Sequence, residues 1–229
     1  MQIRAVNLAT FIAIAAGATL AGVPGSAQDA RQPDPRHGAI IAAQGTANVP
    51  ACAQCHAFNG ASDSSGAFPR LTGQPVAYLT AQMRDFASSL RDSAIMSPIA
   101  KGLSPADRAD VAAYFAAAEG PFPVLAGADA ATIKRGEKIA REGDEAKGLQ
   151  ACNNCHGPDG AGFPPQIPYL AGQYGDYIKL ALNMWKSGFR KNSPHAMKQV
   201  ADRLDDQDIA AVAAFYQHIR NDPETTSAR

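Results

Sequence analysis

The chain is poor in the residues that would make its chemistry ambiguous. Of 229 residues only four are cysteine, and one is tryptophan. Aromatic side chains make up 7%, so a thin core must find apolar surface elsewhere. There is no charge of prevailing sign: 21 lysines and arginines face 21 aspartates and glutamates. A nucleic-acid surface is therefore not expected. After the apolar run at residues 5–23 no later stretch is long and apolar enough to span a bilayer. No cysteine follows that run closely, which argues against a lipid anchor. There is no βαβ pattern of the kind that carries a thioredoxin-like dithiol.

What is there is concentrated. All four cysteines fall in two copies of Cys-X-X-Cys-His, at Cys52–His56 and Cys152–His156. This is the attachment pattern of c-type haem. Two intervening residues set both sulfurs on one turn of backbone, matched to the two vinyl groups, and the histidine that follows is carried beneath the iron. A four-cysteine zinc site would bring its pairs about 15–20 residues apart, whereas these are 100 apart. Two covalently bound haem c groups are expected, with Cys52, Cys55, Cys152 and Cys155 as thioethers and His56 and His156 as axial ligands.

The N-terminus reads as an export signal. One arginine in residues 1–4 precedes the apolar run, and Gly25-Ser26-Ala27 offers small residues for cleavage. Cleavage near Ala27 would leave 20 basic and 21 acidic side chains. A periplasmic location is expected, as bacterial c-type haem attachment occurs outside the cytoplasmic membrane.

The rest of the chain is an internal repeat. Gly38 and Gly45 match Gly136 and Gly143, and Pro69-Arg70-Leu71-Thr72-Gly73-Gln74 matches Pro168-Tyr169-Leu170-Ala171-Gly172-Gln173. Tyr78 falls on Tyr177, Phe86 on Trp185, Met96 on Met197 and Leu103 on Leu204. The expected division is a signal peptide 1–27, a first haem domain 28–120, a linker 121–132 and a second haem domain 133–229. Helices are expected over 75–90, 105–118, 176–187 and 205–219, where apolar spacing and cap residues such as Ser104 and Asp205 coincide. The stretches 57–74 and 157–175 read as loops. The fold class is all-α.

Met96 lies 40 residues after His56, and Met197 lies 41 after His156. Their shared placement, in a loop seven residues before a leucine, marks both as axial ligands. Met83 and Met184 share no repeat position and read as core fillers. His195, two residues from Met197, matches Ala94; it, His37 and His218 read as non-ligands. Methionine ligation favours reduced iron, so high potentials are expected. With both axial positions filled and no cysteine to spare, the chain reads as an electron carrier rather than an enzyme. Lys186, Arg190, Lys191 and Lys198 gather around Met197, where either a docking patch or a solvated charged loop is compatible with the sequence.

These residues resemble a dihaem cytochrome c4: twin haem motifs, the duplicated Pro-X-Leu-X-Gly-Gln and the late methionines, over nearly all of the chain beyond the signal. The resemblance implies two class I cytochrome c folds packed face to face about an approximate twofold axis, with haem propionates near the interface. It also implies that the carbonyls of Pro69 and Pro168 accept a hydrogen bond from the proximal histidines. For Tyr78, Tyr177 and Trp185 it leaves two readings open, lining the pockets or bonding a propionate on one side and plain core packing on the other. Partners would be redox proteins, a dehydrogenase donor or a terminal oxidase among them. Nucleic acid is not expected, the mature chain has no transmembrane segment, and peripheral membrane association is left open. The alternatives are a dedicated cytochrome subunit of a periplasmic dehydrogenase and a dihaem enzyme such as a peroxidase. Two features depart from the family pattern. Ala57 replaces the usual glycine after the first haem histidine, whereas the second motif keeps Gly157, and the segment 121–147 is long and charged.

Overall fold

Among the described residues ten α-helices fall as five and five, so the repeat in the sequence is a repeat in space. The computed structural model describes residues 31–62, 66, 68–122 and 125–219; the expected signal peptide lies outside them. The first half contains α1 (Pro35–Gln44), α2 (Ala53–His56), α3 (Val76–Ala87), α4 (Met96–Gly102) and α5 (Pro105–Ala117). The second contains α6 (Ala130–Glu142), α7 (Asn153–His156), α8 (Gly175–Lys186), α9 (Met197–Arg203) and α10 (Asp206–His218). There is no sheet among the described residues, only isolated bridges. Both halves belong to one compact unit.

Helix ends follow their cap chemistry. The Ser104 hydroxyl accepts from the Asp107 amide while the Asp107 carboxylate accepts from the Ser104 amide, and Asp205 and Asp208 repeat this reciprocal arrangement at the start of α10. Asp34 and Asp129 cap α1 and α6 without the reciprocal bond, each accepting through its own side chain.

In each half the first helix crosses the last at close range. A Cβ built on Gly38 would lie 2.1 Å from the Asp110 carbonyl oxygen, and one on Gly136 would lie 2.0 Å from that of Ala211. Only glycine permits this approach, which explains why the two positions match in the sequence. Each crossing covers its own core. Ile41, Leu79, Leu103, Val111 and Phe115 are buried together in the first half. Their repeat partners Ile139, Ile178, Leu204, Val212 and Tyr216 are buried together in the second. Each large apolar side chain so buried contributes about 1.5–3 kcal/mol.

The start of the connection between halves is pinned. The guanidinium of Arg70, a side chain 1% exposed, donates to the carbonyls of Gly120 and Pro121 at 2.5 Å each. It also lies over the Phe122 ring at 3.6 Å. Two charge-assisted hydrogen bonds and a cation–π contact on three successive residues fix where the chain leaves the first half.

Candidate functional site

The haem motifs fold as single helical turns. Cys52 and Cys152 stand at the N-terminal ends of α2 and α7, and His56 and His156 end them. Both histidines are buried, at 7% and 8% exposure. The Nδ1 of His156 is 2.9 Å from the Pro168 carbonyl oxygen, and that of His56 is 3.4 Å from the Pro69 oxygen. A carbonyl can only accept, so Nδ1 carries the proton and Nε2 presents a lone pair. Burial pushes both imidazoles below their ordinary pKa against the smaller opposing effect of the carbonyls. A neutral ring with one fixed tautomer is the form that binds a metal.

In the first half one cleft brings together Cys52, Cys55, His56, Pro69 and Met96. In the second, Cys152 and Met197 pack against the same core. Both methionines differ from expectation in one respect. They do not sit in loops but are the first residues of α4 and α9. The reason is a hydroxyl at each entry: Ser93 Oγ accepts from the Met96 amide at 3.0 Å, and Ser193 Oγ from the Met197 amide at 3.3 Å. Each serine satisfies the amide of the methionine itself and thereby helps to set where the thioether starts. Met184 differs too. It is not filler in its own half but lines the cleft of the other, with Tyr177, Leu180 and Gln173. Tyr78 and Tyr177 both line that cleft. His195 and His218 are exposed. His37 pairs with the buried Asp110 at 2.8 Å.

The rim of the cleft holds a pair of buried arginines that sequence reasoning did not single out. Arg91 and Arg190, equivalent in the repeat, face each other across an antiparallel bridge between the halves. They are 7% and 3% exposed. Both donate to Gln82 Oε1 at 2.8 Å, and Arg91 also donates to the Tyr177 hydroxyl at 2.6 Å. The Arg91 guanidinium lies over Phe86 at 4.4 Å, and that of Arg190 lies over Trp185 at 3.7 Å. Burial, and then Arg91, pull the Arg190 pKa down. Burial alone would raise the Tyr177 hydroxyl, but the two arginines outweigh it and hold it below its ordinary value. One buried carboxylate, Asp85, is close by, accepting from Asn192 at 2.9 Å.

Two buried cations with one buried carboxylate leave a positive excess. Moreover, Arg91 Nε and Trp185 Nε1 are buried donors with no hydrogen-bond partner among the described residues. A buried donor without an acceptor is costly. A cofactor that is apolar over its body and carboxylated at one edge answers both requirements, and haem c is such a molecule. The residues therefore fit the group that the motifs imply.

The basic cluster around Met197 does not form one patch. Arg190 is buried at the interface, Lys186 donates to the Leu204 carbonyl at 2.5 Å, and Lys198 is paired with Asp202 at 2.5 Å.

Comparisons agree with this geometry. The cytochrome c family model matches twice, over residues 42–119 and 133–220. A thiosulfate dehydrogenase electron acceptor from Thiomonas intermedia is 39% identical over 168 residues, which is 72% of this chain and 76% of the relative. The crystal structure of reduced recombinant cytochrome c4 from Pseudomonas stutzeri superposes with a TM-score of 0.71 at 31% identity, covering 81% of this chain and 98% of that one. A thiosulfate dehydrogenase from Marichromatium purpuratum, in its as-isolated form, gives a TM-score of 0.74 at 37% identity over 80% of this chain. The chain spans 40% of the length of that structure. The fold and site define an electron-transfer protein with covalently bound haem c. The chain belongs to the cytochrome c family, as two tandem domains of the cytochrome c4 type.

Proposed function

We propose that this chain is a periplasmic dihaem carrier that takes single electrons from a dehydrogenase and delivers them to a terminal oxidase or another acceptor. Cys52, Cys55, His56 and Met96 would hold one haem c, and Cys152, Cys155, His156 and Met197 would hold the other. When bound, haem c supplies a one-electron couple. The chain supplies the rest. Pro69 and Pro168 orient the two imidazoles, and Ser93 and Ser193 place the two thioethers. Apolar side chains of both halves keep water from the first cleft. Arg91, Arg190 and Trp185 offer donors to carboxylate groups at the interface.

The observation that carries this reading is the shared cleft. Its walls include Gln173, Tyr177, Leu180 and Met184 of the second half, so a group held by His56 is also in contact with the half that holds the second. That arrangement suits electron exchange between two sites rather than access by a substrate.

The test is an absorption spectrum of the holoprotein, oxidised and reduced, with haem counted per chain. Two low-spin haems, each with the weak far-red band of methionine–iron ligation, are expected. One high-spin haem that binds peroxide would move the protein toward catalysis and end the carrier reading. For the donor, stopped-flow mixing with thiosulfate dehydrogenase and thiosulfate should reduce both haems; no reduction would exclude that donor. A permanent subunit is a second reading, favoured by the Marichromatium purpuratum structure, in which the matching part is 40% of a longer chain. Copurification with a dehydrogenase at native expression would establish it.

A further inference from the structure

The side chain of the glutamine that ends each Pro-X-Leu-X-Gly-Gln segment reaches into the other half. Gln173 Oε1 accepts from the Arg70 amide at 2.9 Å, and Gln173 Nε2 donates to the Arg70 carbonyl at 3.0 Å. Gln74 does the same in the opposite direction. Its Oε1 accepts from the Tyr169 amide at 3.2 Å and its Nε2 donates to the Tyr169 carbonyl at 3.0 Å. All four residues are buried, at 5% exposure or less. Gln173 Oε1 takes one further bond, from the Tyr174 amide at 3.1 Å.

The peptide units involved are those next to the proximal histidines. The amide of Arg70 belongs to the same planar group as the Pro69 carbonyl. That carbonyl faces His56 Nδ1 at 3.4 Å. The amide of Tyr169 belongs to the same group as the Pro168 carbonyl, which faces His156 Nδ1 at 2.9 Å. One peptide unit thus accepts from an imidazole on one side and donates to a glutamine from the other half on its opposite side. Hydrogen bonds in such a chain polarise one another: a peptide that donates strongly through N–H is a better acceptor through C=O. The glutamine also fixes the plane of the peptide, and with it the direction in which the carbonyl points.

We propose that Gln74 and Gln173 are crossed positioning residues: Gln173, from the second half, sets the donor strength of His56, and Gln74, from the first half, sets that of His156. A stronger bond at Nδ1 makes the imidazole a better electron donor, which favours oxidised iron and lowers the potential. The duplicated glutamine therefore couples each haem to the packing of the opposite half. This rests on the proposed ligation by His56 and His156.

The experiment compares Gln173→Leu and Gln74→Leu holoproteins with the parent, leucine keeping the volume and losing the amide. The two potentials are followed separately by titration with paramagnetically shifted haem resonances assigned to each half. Gln173→Leu should raise the potential of the haem held by His56 and leave the other in place; Gln74→Leu should do the reverse. Hydrogen exchange at the Arg70 amide should quicken in the first variant, and at the Tyr169 amide in the second. Tyr174→Phe is the control, since it removes another bond between the halves, from the Tyr174 hydroxyl to the Ala61 carbonyl, and keeps the Tyr174 amide on Gln173. A variant that shifts the haem of its own half, shifts both equally or shifts neither overturns the inference, as does a shift in Tyr174→Phe matching that of Gln173→Leu. The parent spectrum separates the two failures. Two low-spin haems with uncrossed shifts remove only the relay, whereas a parent without that ligation removes the proposed function beneath it.

Discussion

Replacing Ala57 by glycine should make the protein more stable, although the change removes a methyl group. Ala57 adopts φ 55° and ψ 162°, and its counterpart Gly157 adopts φ 76° and ψ 170°. The second is a conformation that only glycine takes without strain, and the first borders on it. The loop enforces this backbone: the His56 carbonyl accepts from the Ser62 amide at 2.9 Å, and the Ala57 carbonyl from the Gly60 amide at 3.1 Å. Strain of this kind costs about 1–3 kcal/mol. Glycine relieves it but loses about 0.4–1 kcal/mol through the wider freedom of the unfolded chain. The net gain for Ala57→Gly is about 1 kcal/mol, or a melting temperature higher by about 2–4 °C for a protein of this size. The reciprocal change, Gly157→Ala, adds the strain and also brings a Cβ to 2.8 Å from the Gly162 carbonyl oxygen. It should cost about 2 kcal/mol or more. Urea unfolding of the holoprotein followed by circular dichroism measures both, the midpoint moving at constant slope. An Ala57→Gly variant no more stable than the parent would refute the strain argument.

Other changes have expected outcomes of known sign. Arg70→Ala removes two hydrogen bonds from a buried guanidinium and its contact with Phe122. It should cost about 3 kcal/mol and quicken proteolysis near residues 120–122, whereas a Cm unchanged from the parent would mean the clasp is idle. Acid should weaken the second half first. Lys147, then the Asp208 amide and Arg135, hold the Asp205 carboxyl down to about 2, and for Asp208 the same two cations outweigh burial. Because these folded values lie below the ordinary carboxylate range, their stabilisation is complete above about pH 4 and is lost as pH falls toward 2. Asp205→Asn, which keeps a capping side chain, should flatten the pH dependence of the unfolding midpoint in that window. On the proposed ligation, Met96→Leu should abolish the far-red band of one haem and lower its potential while the other keeps both. Loss of both bands, or of neither, would contradict the assignment.

Much of the fold was legible because duplication let one half check the other. Gly38 and Gly136 matched in sequence, and both turn out to lie where a Cβ would strike a carbonyl of the last helix. Ser104 and Asp205 announced the start of α5 and α10 through cap chemistry that needs only three neighbouring residues. What stayed hidden was everything made between the halves. Arg190 read as one of several cations near Met197, yet it is buried opposite Arg91; nothing local distinguishes a solvated arginine from one whose partner, Gln82, lies 108 residues away. Gln74 and Gln173 were visible as the end of a repeated segment without a role, because their partners lie 95 and 103 residues away. The start of α4 and α9 was missed because a serine three or four residues ahead of a methionine looks like any loop serine.

The positions where the halves differ show what the duplication has been used for. The residues proposed as ligands recur in kind: two cysteines, a histidine and a methionine in each half. The halves also differ at the interface, where Arg70 matches Tyr169, Asp85 matches Met184, and Phe86 matches Trp185. The first two pairs have distinct tasks, whereas Phe86 and Trp185 each lie under an arginine of the buried pair. Arg70 clasps the linker, whereas the Tyr169 hydroxyl donates to the Thr72 carbonyl at 2.5 Å. Asp85 puts a buried carboxylate beside the arginine pair, whereas Met184 puts a thioether into the cleft of the first half. On the proposed ligation, equal inner ligands would give equal potentials unless something outside them differs, and these residues are the difference within reach. Asymmetry between the two redox sites is therefore built into the surface that joins them. The ligands themselves stay matched.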